Sequence, residues 1–370
     1  MALSGCLILS LLLLLHLTDS LLHPERRSRR ALLGDVTTSF LVGSITFRGP
    51  TEAIANDVGS PIVPGASPAR FRPVSVGEWS PSPQLETNLG KTRLVADELK
   101  PMQKKPFSDQ ELYYAPFLFG SWNVKATLKR KIYPYGVSYV PSNSLIEGSP
   151  RNREEQAGST TSYELHYFST LANTLQNQMT VQLGLGVPQS KIIADRAFNT
   201  VSISNAYKQL TPVQQVEWDP TKDPTRLTLD FGTQPVAQDM RPLGPRRGEV
   251  YITSREAEFV PDNENVFACC EQSRSVTLAT RNVVVSDTES TTEFQKVSPN
   301  LVRAVNRIAV YLTPNPNSRE GILWQQVDGK AVAFFDYELE MRRKTESFLV
   351  DGQKVERACV ATPKEIIQCE

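Results

Sequence analysis

Apolar and polar residues alternate from Gly120 to Lys129, with Gly120, Trp122, Val124, Ala126 and Leu128 on one face and Ser121, Asn123, Lys125, Thr127 and Lys129 on the other. A two-residue period is that of a half-buried strand. The alternation returns in SYELHYF (Tyr163, Leu165, Tyr167), QMTVQLGLG (Met179, Val181, Leu183, Leu185), RLTLDF (Leu227, Leu229, Phe231), RIAVYLT (Ile308, Val310, Leu312) and AVAFFDYELEMRR (Phe335, Tyr337, Leu339, Met341, Arg343). The segments ADRAFNTVSIS, VQQVEW, EVYITSREAEF, SVTLATRNVVV and TESTTEFQKV read as further strands. The stretches between them are rich in Pro, Gly, Asn, Asp and Ser, which favour turns. Strands joined locally in series are best buried by closing one antiparallel sheet on itself, so the pattern predicts a single all-β, up-and-down barrel of about 8–10 strands, with a two-sheet β-sandwich as the alternative.

The inward phase names the expected interior. Trp122, at the mouth of the first strand, would plug one end of the barrel, and Gly120 would let the backbone turn in closely beside it. Arg343 ends the inward face of the last strand, where its guanidinium can lie over the Trp122 indole or simply solvate the strand end. Trp122, Leu128, Leu183, Phe335 and Tyr337 form the expected lining of a ligand site. As strand neighbours, Asp195 and Arg196 would point to opposite faces and pair across strands, while Arg196 at the barrel mouth could meet a ligand's acidic or carbonyl group.

The N-terminal pattern is different. MALSGCLILSLLLLLHLTDS has an apolar run too short to span a bilayer and reads as a removable signal segment. Arg29 and Arg30 then precede Ala31–Leu32–Leu33 as in a twin-arginine export signal, and a second apolar run ends at Ala53–Ile54–Ala55, a small-x-small cleavage pattern. Such a layered presequence resembles the transit peptide of a soluble chloroplast protein of the thylakoid lumen; an ordinary secreted protein with a dibasic processing site is the alternative. Residues 56–110 are proline-rich without a sustained apolar period and read as a flexible arm. The domain plan is thus a presequence over 1–55, an arm over 56–110, a β-barrel over 111–346 and a cysteine-containing tail over 347–370.

Charge changes the picture little: Lys+Arg and Asp+Glu number 40 each, so no bulk field draws the chain to nucleic acid. The cysteines say more. With Cys6 in the signal segment, Cys269, Cys270, Cys359 and Cys369 remain, an even number in an exported chain. Adjacent cysteines rarely bond each other, so Cys269 and Cys270 are each expected to reach a tail cysteine. A redox-responsive dithiol and a zinc site are the other readings; no C-x-x-C knuckle supports the metal, and no metal or cofactor is predicted. Beyond the presequence the only histidine is His166, on the outward phase, and no nucleophile elbow, H-E-x-x-H or phosphate loop is present. Asp336, Glu338 and Glu340 share an outward, solvated phase. No catalytic residue is assigned.

Gly120–Ser121–Trp122, the segment Ile192–Asn199 with its ADRAFN core, the segment Ile308–Pro314 and the closing Tyr337–Glu340 resemble a domain-of-unknown-function family of cyanobacteria and plastid-bearing eukaryotes. The resemblance covers roughly residues 113–344 and implies a lipocalin-like barrel and a lumenal address, but no activity. Three functions are compatible with it. The leading expectation is a non-catalytic lumenal protein binding a small apolar ligand such as a pigment, quinone or lipid. An auxiliary or assembly factor of a photosynthetic membrane complex is the second, and a lumenal barrel-type enzyme acting on a pigment the third. The sequence sets no oligomeric state.

Overall fold

A computed structural model of the chain describes residues 71–81, 84–103, 111–142, 144–147, 155–171, 174–184, 189–207, 213–231, 246–278, 283–350 and 353–370. Arg29, Arg30, Ala53 and Ala55, which carried the targeting expectation, lie outside the described residues. In chain order the first elements are β1 (Val74–Val76), α1 (Asn88–Arg93), β2 (Gly120–Tyr133), α2 (Ser144–Glu147), β3 (Thr160–Leu171), α3 (Leu175–Leu183), β4 (Ser190–Ala194), α4 (Arg196–Ala206), β5 (Val213–Asp219) and β6 (Asp223–Phe231). There follow β7 (Arg246–Val260), β8 (Asn263–Leu278), β9 (Val283–Ser298), β10 (Leu301–Tyr311), α5 (Arg319–Gln326), β11 (Ala333–Arg343), β12 (Thr345–Val350), β13 (Gln353–Ala361) and β14 (Ile367–Cys369).

One curled antiparallel sheet carries the fold, its strands in the order β4-β3-β2-β11-β10-β9-β8-β7-β6-β5, with β1 added beside β2. The first long strand pairs with the last, as a barrel requires, in a register that sets Trp122 opposite Arg343 and Leu128 opposite Tyr337. Closure fails elsewhere. Among the described residues the row ends at β4 and β5, so the sheet is a curled half-barrel where a closed barrel was expected. A separate sheet, β12-β13-β14, is built from the tail.

Two segments that read as strands are helices. ADRAFNTVSIS forms α4: Asp195 caps it by accepting from the Phe198 N–H at 2.9 Å. Its buried residues Arg196, Asn199, Thr200, Ile203 and Ser204 follow the helical i, i+3, i+4, i+7, i+8 spacing. Residues 178–183, the first part of QMTVQLGLG, form the end of α3, which is capped by Thr174 and stopped by Gly184 in the left-handed region (φ 64°), a conformation that costs glycine nothing. α4 packs against both β3 and β5, filling the space a closing pair of strands would have used. Its side chains serve strand backbone: Ser202 Oγ accepts from Glu164 N–H and Ser204 Oγ from Val213 N–H. Exposed strand edges must be paired or covered, and here the cover is helical.

The segment read as a flexible arm has a seat. Over residues 84–103 it crosses the convex face of the sheet as a strap, burying Leu85, Leu89, Leu94 and Leu99 against Val305, Ala268, Ala309 and Phe334. Carboxylates on the sheet catch it. Glu258 accepts from the first N–H groups of α1 and Glu293 from the N–H groups of Glu86 and Thr87, while Glu289 pairs with Arg93. A Cβ on Gly90 would run into Glu293 Oε2, so a larger residue here would make that carboxylate shift. Asp336 is correspondingly buried, not solvated: it accepts from Arg307 at 2.6 Å and from Arg130 at 2.9 Å beneath the strap. Glu338 and Glu340 stay on the outside as expected, half-exposed beside Lys129 and Arg342.

Candidate functional site

The concave face gathers most of the residues the alternation assigned to it. Trp122, Leu128, Phe335 and Tyr337 belong to one contiguous buried cluster with Val124, Leu165 and Phe267. The indole N–H of Trp122 donates to the Leu118 carbonyl at 2.8 Å, and the Arg343 guanidinium carbon stands 4.7 Å from the ring centroid. Gly120 adopts φ +110°, a conformation side chains rarely reach, which fits its role beside Trp122. Leu183 does not join them: it is 60% exposed at the end of α3. It was placed by a period-two pattern that a helix overrode.

Arg196 is also relocated. It lies fully buried under the half-barrel, not at a mouth, with Nη2 2.7 Å from Glu111 and 3.1 Å from Glu271 of β8. Burial alone would lower its pKa, but the two carboxylates overcome that and hold it charged, above its ordinary value. Burial pushes the Glu271 carboxyl up, against the pull of Arg196. The triad ties α4, β8 and the segment entering β2 to one another, a structural use that leaves Arg196 engaged by protein. His166, expected on the surface, is covered by α4: its ring stacks on Phe198 at 3.6 Å and bonds Glu164 at 2.9 Å.

Farther along the concave face the interior turns polar. Tyr337 donates to Glu155 at 3.0 Å, with Tyr207 and Tyr163 nearby, and burial pushes all three phenols up. Lys131 lies buried close by, its ammonium over the Phe335 ring at 5.9 Å and its pKa lowered by burial in spite of Glu155. Among the described residues no group of three His, Cys, Asp or Glu side chains is arranged to hold a metal ion.

The cysteines pair otherwise than the sequence led us to expect. Cys359 and Cys369 are directly opposed on β13 and β14 and bond each other. Cys269 and Cys270 are buried thiols. As neighbours on β8 they face opposite sides: Cys269 joins the concave cluster, whereas Cys270 lies on the convex side with Leu89 and Met102 of the strap. Neither is therefore placed for the tail.

A cleft with room for a ligand lies beside Arg343, at the Trp122 end of the sheet. A groove of about 570 Å³ is bounded by Ala115, Pro116 and Phe117 before β2, Phe259 to Val266 of the β7–β8 hairpin, Lys296, Pro299, Arg343 and Glu370. It adjoins a second compartment of about 420 Å³ that shares Pro299, Arg343 and Glu370 and adds Asn300, Thr345, Glu356 and Ala358. Volumes of this order suit a small organic molecule. Phe259 is 52% exposed, a large apolar ring left facing solvent, and it leans on Phe267 at 4.8 Å. Arg343 bridges the two compartments, donating to the Phe117 carbonyl. Burial lowers its pKa while the charge of Glu370 opposes that shift. An apolar wall whose rim carries Lys296 and Arg343 together with the carboxylates of Glu264 and Glu370 can hold the body of an amphipathic molecule and, at the two cations, its acidic or carbonyl head. Of these residues only Arg343 was singled out from the sequence. The available signal was apolar residues at hairpin turns, Phe259–Val260–Pro261 and Val297–Ser298–Pro299, where turn chemistry alone does not ask for them.

Fold and groove together define a curled antiparallel half-barrel with a polar groove rim and an apolar groove wall. The chain belongs to the DUF6816 family, a domain of unknown function whose profile matches residues 106–345. No curated protein and no solved structure was found to match it. Among the described residues no helix is long and apolar enough to cross a membrane.

Proposed function

We propose that this protein is a non-catalytic binding protein that holds a small amphipathic molecule, a pigment, quinone or lipid with an acidic or carbonyl head, in the groove at the Trp122 pole. The observation that carries the reading is the groove itself: about 570 Å³ of space walled by Phe117, Phe259, Val260 and Val266, with Lys296 and Arg343 at its rim. The ligand's apolar body would lie against the phenyl rings and its head between the two cations. The contiguous buried cluster on the concave face makes the pole, and not the interior first expected, the better seat. The Cys359–Cys369 bond suits the oxidising compartment implied by the export signals, for which the thylakoid lumen is our proposed address.

Dansyl-labelled undecanoic acid tests the reading. It should bind saturably at one site, and Phe259→Asp or Lys296→Glu should weaken it about tenfold, a loss of ~1.4 kcal/mol. Leu183→Asp should leave binding unchanged. Absence of saturable binding, or equal binding by all variants, would overturn the reading.

A second reading, the auxiliary factor of a photosynthetic complex, is favoured by a different surface. Leu171, Met179, Val181 and Leu183 are all exposed at the end of β3 and on α3, apolar side chains that a partner would cover. If that reading is correct, Val181→Asp should abolish co-migration with a membrane complex in native gels while leaving dansyl-undecanoate binding intact.

A further inference from the structure

β14 is three residues long, too short to hold its own place by a ladder. Three devices beyond its pairing with β13 keep it there. The Cys359–Cys369 disulfide closes the hairpin. Gln368 uses both ends of its carboxamide on the backbone of Ser169 in β3, donating to the carbonyl at 2.9 Å and accepting from the N–H at 2.8 Å. Glu370 N–H donates to the Ala358 carbonyl at 3.0 Å. The residue so anchored, Glu370, lines both compartments of the groove beside Arg343. The two sulfurs differ in access: Cys359 is 5% exposed, while Cys369 lies at the surface.

We propose that the Cys359–Cys369 disulfide is a thiol–disulfide exchange site acting as a latch: it holds Glu370 over the groove, and its reduction by a dithiol frees Arg343 for the ligand's acidic head. The inference rests on the groove reading above and adds its regulation. One thiolate of the dithiol attacks the exposed Cys369 sulfur and forms a mixed disulfide, and Cys359 leaves as a thiolate that takes up a proton. The second thiol of the reductant displaces Cys369, which is protonated in turn, and the reductant closes to its own disulfide. Two electrons and two protons thereby pass to the protein. Without the cross-link, a three-residue strand must be ordered against its full chain entropy, and the Gln368 and Glu370 contacts are lost together. In the oxidised state Glu370 stands as an internal anion where a ligand's own anion would go. Glu370 acts on Arg343 through its charge and not through an ion pair, so latch and ligand compete for the ground beside Arg343.

The experiment uses the full chain, oxidised or treated with dithiothreitol, and a Cys359→Ser/Cys369→Ser variant as a permanent mimic of the reduced state. Hydrogen exchange is read over residues 165–171 and 358–370, and dansyl-undecanoate affinity is read in parallel. Reduction should raise exchange in both segments and tighten the probe about tenfold, within the usual range for coupled sites. Glu370→Gln should bind the probe equally in both redox states. Exchange that is unchanged by reduction overturns the latch, whatever the probe does. Exchange that rises while a bound probe keeps the same affinity overturns control of the groove. A probe that binds in neither state overturns the groove reading, and the exchange data then decide the latch by themselves.

Discussion

Asn199 of α4 bonds the backbone of His166 in β3 through both ends of its side chain: Oδ1 accepts from the N–H at 2.7 Å and Nδ2 donates to the carbonyl at 3.1 Å. A carboxamide here does what a neighbouring strand would do, and this substitution lets a helix stand in the gap between β3 and β5. Asn199→Ala should leave a buried backbone N–H without its acceptor and cost about 1–3 kcal/mol in urea unfolding. A loss below ~0.5 kcal/mol would mean that the helix does not serve the strand in this way.

Trp122 is fully buried and covered by Arg343, so Trp122→Ala should cost about 3–5 kcal/mol, and Arg343→Ala less. The two losses should be non-additive by about 0.5–2 kcal/mol if the guanidinium depends on the indole. Lys125→Ala, on the exposed phase of the same strand, should be near neutral. Thermal and urea unfolding of the four proteins, the double variant included, check this.

Much of this is legible in the sequence, and the physical reason is uniform. β2, β3, β6, β10 and β11 have one wet or strap-covered face and one apolar face, so period two shows through. α4 did not, because its buried stripe is Arg196, Asn199, Thr200, Ile203 and Ser204, mostly polar residues that no hydrophobic pattern marks. α3 failed for the opposite reason: Met179, Val181 and Leu183 are apolar yet exposed, so their alternation reflected no core. The segment read as one strand, SVTLATRNVVV, spans the end of β8 and the start of β9. The groove was hidden because its walls come from four separate strand ends that only the topology brings to one pole.

The strap predicts a contrast between two leucines. Leu94 is fully buried against Val305, so Leu94→Ala should cost about 2–5 kcal/mol and could loosen the convex face. Leu183→Ala, on exposed α3, should fall within ~0.5 kcal/mol of the parent. Equal effects in chemical unfolding would return residues 84–103 to the status of a linker.

Glu249 supplies a pH test. Burial would raise its pKa, but hydrogen bonds from Arg226, Thr228 and Arg247 outweigh that and hold it at about 2, against an ordinary 4.5. A depressed folded-state pKa gives stability that is present above the unfolded value and is lost as pH falls through the folded one. The stability difference between the parent and Glu249→Gln should therefore be constant at neutral pH, shrink below pH 4.5 and vanish near pH 2. A difference independent of pH across that window would refute the assignment.

The central claim, that the groove at the Trp122 pole is built to hold a small molecule, is tested most directly by native mass spectrometry of the protein isolated from its own source. The account predicts one small organic adduct per chain, carrying an acidic or carbonyl group and released on denaturation, that is absent from Phe259→Asp purified in the same way. A bare chain mass, or the same adduct retained by Phe259→Asp, would contradict it.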